Sequence, residues 1–192
     1  FHIDIRKKIF KPILDQLGGK LNILIAGGAP MDKEAISAFV DFGINLLQGY
    51  GLTETSPVAA GENDKYKRAG SVGFPLPNID IEIDNPDEDG VGEIIIKAPT
   101  VMLGYYENPE ATDSVLRDSW FHTGDLGKFD EDGFLFVTGR KKFVIVLKNG
   151  KKVFPEEVEI LINKLPFVQE SMVYGLPDRD NDVKLCAKIV YN

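Results

Sequence analysis

The sequence predicts an α/β segment, then a small antiparallel β segment, then the start of an α+β segment. Three observations carry this. The apolar runs Leu21 to Ala26 and Ile44 to Leu47 flank a helical pattern, a strand–helix–strand unit that implies a parallel sheet. After Pro57 the apolar residues fall into short alternating runs, of which Ile79-Asp-Ile-Glu-Ile83 is strict. From Gly139 onward a hairpin signal, Asn149-Gly150, precedes a helix and two further strand-like runs. These changes of rhythm divide the chain into 1–58, 59–138 and 139–192.

The elements follow in order. The stripe Ile5, Ile9, Phe10, Ile13, Leu14 and Leu17 predicts one helix over 3–17, ended by Gly18 and Gly19. Leu21 to Ala26 reads as a buried strand running into the Gly27-Gly28 turn. Asp32 suits the N-cap of a helix with Ile36, Phe39 and Val40 on one face, stopped near Gly43. Ile44 to Leu47 is the next strand, and parallel sheets bind ligands beyond the C-terminal ends of such strands. Ile79 to Ile83 returns as Glu93-Ile-Ile-Ile-Lys97, and Asn108-Pro109 starts a short helix through Arg117. Leu126 to Phe129 and Phe134 to Val137 form a hairpin around Asp130-Glu-Asp-Gly133. Phe143 to Lys148 and Lys151 to Phe154 flank a two-residue turn at Asn149-Gly150. Pro155, with Glu156 and Glu157 behind it, opens a helix to about Leu165, and Val168 to Tyr174 and Val183 to Tyr191 are strands.

Composition narrows the function. With 43% hydrophobic residues against 27% charged, the chain is an ordinary globular sequence, neither disordered nor membrane-spanning. A net charge of −8 argues against general nucleic-acid binding, which needs an extended basic footprint. The sum hides a local exception: Arg140, Lys141, Lys142, Lys148, Lys151 and Lys152 lie in one stretch without an acid. A lone Cys186 forbids an internal disulfide and fits a reducing, cytoplasmic compartment. Peripheral membrane contact stays open. The sequence starts at Phe1 in an amphipathic pattern and stops at Asn192 after a strand-like run, which reads as a piece of a longer protein.

The densest chemistry is Gln48-Gly-Tyr-Gly-Leu-Thr-Glu-Thr55. Gly49 and Gly51 permit sharp turns and close approach of a ligand. Tyr50 offers a flat ring, Thr53 and Thr55 offer hydroxyls, and Glu54 offers a carboxylate suited to Mg²⁺, a hard cation that takes oxygen ligands. Two readings stand on these residues alone: a nucleotide site with its metal, or a strand-to-loop turn with a solvated Thr-Glu-Thr.

The octet closely resembles a signature of the adenylate-forming enzymes, the superfamily of acyl-CoA synthetases, luciferases and adenylation domains. Four further segments match that superfamily in order: Gly27-Gly-Ala-Pro30, Gly70-Ser-Val-Gly73, Trp120-Phe-His-Thr-Gly-Asp125, and Gly139-Arg140 continuing to Pro155-Glu-Glu-Val-Glu159. The resemblance implies a parallel-sheet subdomain, an antiparallel barrel-like one, and a mobile C-terminal domain that turns on a hinge near 140–142. It implies that Gly27, Gly28, Ala29 and Pro30 pack beside adenine and that Tyr50, between Gln48-Gly49 and Gly51, stacks on it. Thr53 contacts the AMP phosphate and Glu54 takes Mg²⁺. Asp125 and Arg140 bind ribose, Lys142 is the hinge, and Gly150 lies along the CoA pantetheine tunnel. Each has a bland counterpart: a tight turn at Gly27, a core tyrosine, a turn aspartate, a hairpin glycine. His122 is read as scaffold, Lys141 as a solvated surface lysine, and Lys148 and Asn149 receive no partners.

The implied reaction is a two-step ligation, in which ATP and a carboxylic acid give an acyl-adenylate and a thiol, most simply CoA, displaces AMP. Val101-Met-Leu-Gly-Tyr-Tyr106, Gly139-Arg-Lys-Lys142 and Lys148-Asn-Gly-Lys-Lys-Val-Phe-Pro155 look most like long-chain fatty acyl-CoA synthetases. Two alternatives remain: an enzyme that loads an acyl or amino acid onto a carrier protein, and a non-catalytic nucleotide-binding module. The family's phosphate loop belongs before residue 1 and its catalytic lysine after residue 192, so residues 1–192 alone are expected not to adenylate efficiently.

Overall fold

The structure, a computed structural model, describes residues 5–29, 31–178 and 183–191. It divides into two compact units, one of residues 1–81, 96–121 and 129–136, the other of 82–95, 122–128 and 137–192.

The first unit opens with two short helices, α1 (Arg6–Ile9) and α2 (Lys11–Gln16), where one was expected. Pro12 is the cause: it has no N–H for the Lys8 carbonyl and its ring crowds that turn, so the helix breaks at Phe10. Phe10 packs edge-on against Phe42 at 5.1 Å, but Ile9 and Leu17 stay at least half exposed. Strand β1 (Ile23–Ala26), helix α3 (Lys33–Asp41) and β2 (Asn45–Tyr50) form the anticipated unit, with β1 and β2 parallel from Ile23↔Asn45 to Ala26↔Gln48. Asp32 caps α3 by accepting the Glu34 N–H at 3.4 Å. The buried reading of β1 needs correction. It is the outer strand of its sheet, and Ile25 is 72% exposed. The core lies instead under β2, where Ile44 and Leu46 are buried. Strands β3 (Ala60–Gly61) and β4 (Phe74–Pro75) complete the order β1-β2-β3-β4, antiparallel after the first pair.

Strands β5 (Asp80–Asp84) and β6 (Gly92–Lys97), helix α4 (Pro109–Val115), and strands β7 (Leu116–Arg117), β8 (Trp120–Phe129) and β9 (Leu135–Arg140) follow. The strands form a sheet in the order β5-β6-β8-β7, with β9 against β8. The expected short helix ends at Val115 rather than Arg117, since Leu116 and Arg117 pair with β8. Asn108 caps it by accepting the Ala111 N–H at 3.1 Å. The Asp130–Gly133 turn forms as anticipated: Asp130 Oδ1 accepts the N–H groups of Asp132 and Phe134 at 3.1 and 2.9 Å. Arg68 grips Asp130 and Asp132 and lies 4.4 Å from the centre of the Phe134 ring.

The second unit continues with β10 (Ile145–Val146), β11 (Lys152–Val153), α5 (Pro155–Ile162), β12 (Val168–Pro177) and β13 (Val183–Tyr191). Lys141–Phe143 is a 3-10 turn, and β10 and β11 are two residues each, shorter than the pattern suggested. The turn between them is also longer. Gly150 N–H donates to the Leu147 carbonyl at 2.8 Å and Leu147 N–H to the Lys151 carbonyl at 2.9 Å, closing three residues with Gly150 at φ +80. Strands β12 and β13 form an antiparallel pair from Val168↔Tyr191 to Pro177↔Val183. Among the described residues, no helix is long and apolar enough to cross a membrane.

Candidate active site

In the first unit the signature octet is more strand than loop: Gln48, Gly49 and Tyr50 belong to β2. Gly49 and Gly51 do not take the positive φ that a sharp turn would use. They are glycines because other backbone lies against them. A Cβ on Gly51 would overlap the Pro57 carbonyl, one on Gly49 would stand 3.4 Å from the Ala60 oxygen, and one on Gly27 only 2.9 Å from the Gly49 oxygen. That last contact joins the Gly27-Gly28-Ala29 turn to the octet. Pro30 lies outside the described residues. Gln48 is anchored through two bonds, its Nε2 donating to the Ser71 carbonyl at 2.8 Å and its N–H to Glu62 Oε2 at 2.9 Å. This ties Gly70-Ser-Val-Gly73 to β2. Tyr50 is buried beside it, and its carbonyl accepts the Ala59 N–H at 2.7 Å.

The next three residues, Thr53–Thr55, form a 3-10 turn that separates their side chains by role. The expectation that both threonines offer hydroxyls fails for Thr55. It is fully buried, and its Oγ1 accepts the Leu52 N–H at 3.0 Å and donates to the Leu52 carbonyl at 2.9 Å. Thr53 is exposed and Glu54 half-buried. Tyr105 donates its hydroxyl to Glu54 Oε1 at 2.9 Å, and the Met102 N–H donates to the Glu54 carbonyl at 2.8 Å. Ser56 adds a bond to the Thr100 carbonyl at 2.9 Å. The 100–105 loop therefore holds the carboxylate that the sequence singled out. A half-buried carboxylate fixed through one oxygen, beside an exposed hydroxyl, fits a hard divalent cation.

In the second unit Asp125 sits on β8 directly after Gly124, whose φ of +70 breaks the strand's regular course. Thr123 Oγ1 accepts the Asp125 N–H at 3.0 Å and donates to the Ile94 carbonyl at 2.7 Å, so the turn is held to β6. Arg140, at the end of β9, donates its Nε to Asp125 Oδ1 at 2.7 Å; the Asp125 side chain is 8% exposed and that of Arg140 45%. The carboxylate and guanidinium thus face one another with the guanidinium toward solvent. Lys142 is exposed and its Nζ lies 5.1 Å from the centre of the Phe143 ring.

Beneath this pair is a group that the sequence reading passed over. Glu93 on β6 is buried, accepts the Gly124 N–H on Oε1 at 3.0 Å and the Lys141 ammonium on Oε2 at 2.7 Å, and has His122 Nδ1 at 3.6 Å. Burial opposes its ionisation, but the bond from Lys141, the charge of that lysine and the Gly124 N–H outweigh it. They hold the carboxyl below its usual range. Lys141 is therefore not the simply solvated lysine expected from its neighbours.

Residues 5–106 match the family model described as AMP-binding enzyme. The chain belongs to that family. Members similar to it include a long-chain-fatty-acid–CoA ligase of Yersinia pestis, 40% identical over 82% of this chain, and a feruloyl-CoA synthase of Amycolatopsis, 38% identical over the same share. The chain spans about a third of the length of the curated relatives it matches, 29% of the first of these and 33% of the second. Among solved structures, O-succinylbenzoate coenzyme A synthetase (MenE) of Bacillus subtilis, in complex with ATP and magnesium ion, aligns with a TM-score of 0.81 at 28% identity, covering 96% of this chain and 40% of that one. MatB of Rhodopseudomonas palustris, ATP-bound, aligns at 0.77 and 29% identity, covering 95% and 43%. The AMP-binding fold anticipated from the motifs is thus the fold observed, with mixed and antiparallel sheets after a parallel start.

Proposed function

We propose that this chain supplies the AMP-binding turns and the hinge of an ATP-dependent acid–thiol ligase, which makes an acyl-adenylate and passes the acyl group to CoA. The observation that carries the reading is the Asp125–Arg140 pair. A nearly buried aspartate, its backbone N–H held by Thr123 and its Oδ1 by the 2.7 Å bond from Arg140, has a carboxylate suited to a ribose diol. In the same reading Thr53 meets the α-phosphate, and Gly27, Gly28, Ala29, Pro30 and the segment Gln48, Gly49, Tyr50 and Gly51 border adenine. Glu54, held by Tyr105, would carry Mg²⁺, which when bound neutralises phosphate charge as the acid's carboxylate attacks.

The same proposal divides the chain at 1–58, 59–138 and 139–192 and places the turning point at Lys142. Gly150 then borders the CoA arm in the thiol step, where a second arrangement of the last part replaces the first. Long-chain fatty acids are the preferred substrate class, supported by the Val101–Tyr106 and Lys148–Pro155 phrases and by the Yersinia relative. A cytoplasmic enzyme is the simplest setting.

The test is pyrophosphate exchange in the full-length protein across a panel of long-chain, short-chain and aromatic acids, followed by thiol acceptors. Exchange dependent on long-chain acids, completed by CoA, supports the reading. Exchange with aromatic acids moves the substrate class, and acceptance only by a carrier protein moves the second step. No exchange with any acid, alongside intact AMP binding, leaves the non-catalytic module. Glu54→Gln and Asp125→Ala are expected to reduce exchange by roughly two orders of magnitude, the scale of removing one partner from a buried charged contact. Unchanged exchange in both contradicts the assignment.

A further inference from the structure

We infer that Glu93 is the positioning residue of the ribose site, acting through Gly124 and Lys141 without touching the nucleotide. The inference rests on the reading of Asp125 and Arg140 as the ribose pair and adds to it what sets their geometry. The middle of strand β6 is apolar core: Ile94, Ile95 and Ile96 are buried, as is Val91 just before the strand. A carboxylate among them is costly, because burying an ion pair rarely stabilises a fold more than apolar side chains of the same size. Its place among them points to a positioning role rather than to packing.

The two oxygens of Glu93 go to the two segments that carry the ribose pair. Oε1 accepts the N–H of Gly124, the residue before Asp125, at 3.0 Å. Oε2 accepts the ammonium of Lys141, the residue after Arg140, at 2.7 Å. One buried carboxylate therefore spans from the β8 turn to the end of β9, and the Asp125–Arg140 bond closes the same ring of contacts. The remaining groups around it are Asp84 and His122, which with Glu93 offer ligand atoms within 4.8 Å of one another. The Gly124 N–H and the Lys141 ammonium already engage both Glu93 oxygens, so the carboxylate serves these donors rather than a cation. His122 Nδ1 is buried without a hydrogen-bond partner among the described residues and lies 3.6 Å from Oε2, so it lines the carboxylate's pocket.

Lys141 is the exposed end of this arrangement, its side chain 60% accessible, and it sits one residue from Lys142. Any turn of the chain at 140–142 that withdraws Lys141 loosens the hold on Arg140 as well. Ribose grip and hinge position are thereby coupled through one carboxylate.

The experiment measures affinity for AMP and for 2′,3′-dideoxyAMP by calorimetry in the full-length protein, for the wild type, Glu93→Gln, Lys141→Met and Asp125→Ala. Wild type prefers AMP, and Asp125→Ala abolishes that preference. Glu93→Gln keeps the volume but sets an amide N–H against Gly124 or Lys141, and it cuts the preference roughly tenfold. Lys141→Met cuts it about threefold, consistent with losing one charged hydrogen bond at a half-exposed site. Affinity for the dideoxy nucleotide stays the same in both. A Glu93→Gln protein that keeps the full preference overturns the inference while leaving the ribose reading intact. Equal weakening of both nucleotides also overturns it, since that is the mark of a purely structural role. Retained preference in Asp125→Ala removes the ribose reading and this inference together. Should Glu93→Gln fail to fold, Lys141→Met decides by the same ratio, its side chain being on the surface.

Discussion

The octet turn of the first unit and the Asp125 turn of the second hold their polar groups by opposite means. Around Gly51 the geometry is set by backbone against backbone. Glycines stand where a Cβ would strike Pro57 or Gly49, Thr55 spends its hydroxyl on Leu52, and Gln48 spends its amide on Ser71. Around Asp125 the geometry is set by charge: Arg140 on Asp125, Lys141 on Glu93, and a carboxyl held below its usual range. Steric positioning is insensitive to salt and pH, whereas charge positioning with half-exposed cations is not. The first turn is thus the rigid half of the comparison and the second the adjustable half.

The comparison breaks most readily at Gly51. An alanine there must displace the Pro57 carbonyl, since no flexible side chain is present to yield. We expect a loss of about 3 kcal/mol, the upper range for overpacking, read as a lower midpoint in denaturant unfolding. A Gly51→Ala protein as stable as the wild type would mean that this half is not sterically set.

Tyr105→Phe gives a smaller effect and tests the one place where the first unit uses a side-chain hydroxyl to aim a charge. It removes the 2.9 Å donor to Glu54 and nothing else in that contact. The Mg²⁺ concentration needed for half-maximal pyrophosphate exchange should rise about three- to tenfold, less than the full effect of a hydrogen bond to a charged group because this one is exposed. An unchanged Mg²⁺ requirement would make the Tyr105 bond incidental.

Local signals were legible and long-range ones were not. The Asp32 and Asn108 caps, the Asp130–Gly133 turn and the alternation of β5 depend on residues within four of one another, and each formed as expected. The break at Phe10 was also readable, since Pro12 stands in the predicted helix. Thr55, whose hydroxyl turns back to Leu52, is a local exception; the other failures at the site came where a partner is distant in sequence. Glu93 reads as the polar start of an apolar strand, and nothing nearby indicates that Lys141, 48 residues on, reaches it. Tyr105 lies 51 residues from Glu54. Gly49 and Gly51 were assigned to turning because their neighbours across the chain, Ala60 and Pro57, carry no pattern that announces close approach. The motif residues of the site could thus be named in advance, but not the residues that hold them.

The gentlest probe of the adjustable half is acid. Glu93 is ionised more readily in the folded chain than in the unfolded one, where its value is near 4.5. A depressed carboxyl contributes stability that is complete above the unfolded value and is lost as pH falls through the lower folded value. In the wild type this contribution therefore survives mild acid and fades only in strong acid. Lys141→Met removes the bond and the charge that lower the carboxyl and leaves the burial that raises it. The acid-dependent loss should then shrink: the thermal unfolding midpoint of Lys141→Met lies modestly below that of the wild type at pH 7, as fits a half-exposed pair, and the gap closes as pH falls and Glu93 is protonated in the wild type. Identical acid profiles would show that Lys141 does not govern the charge of Glu93, and the second unit would then be as sterically set as the first.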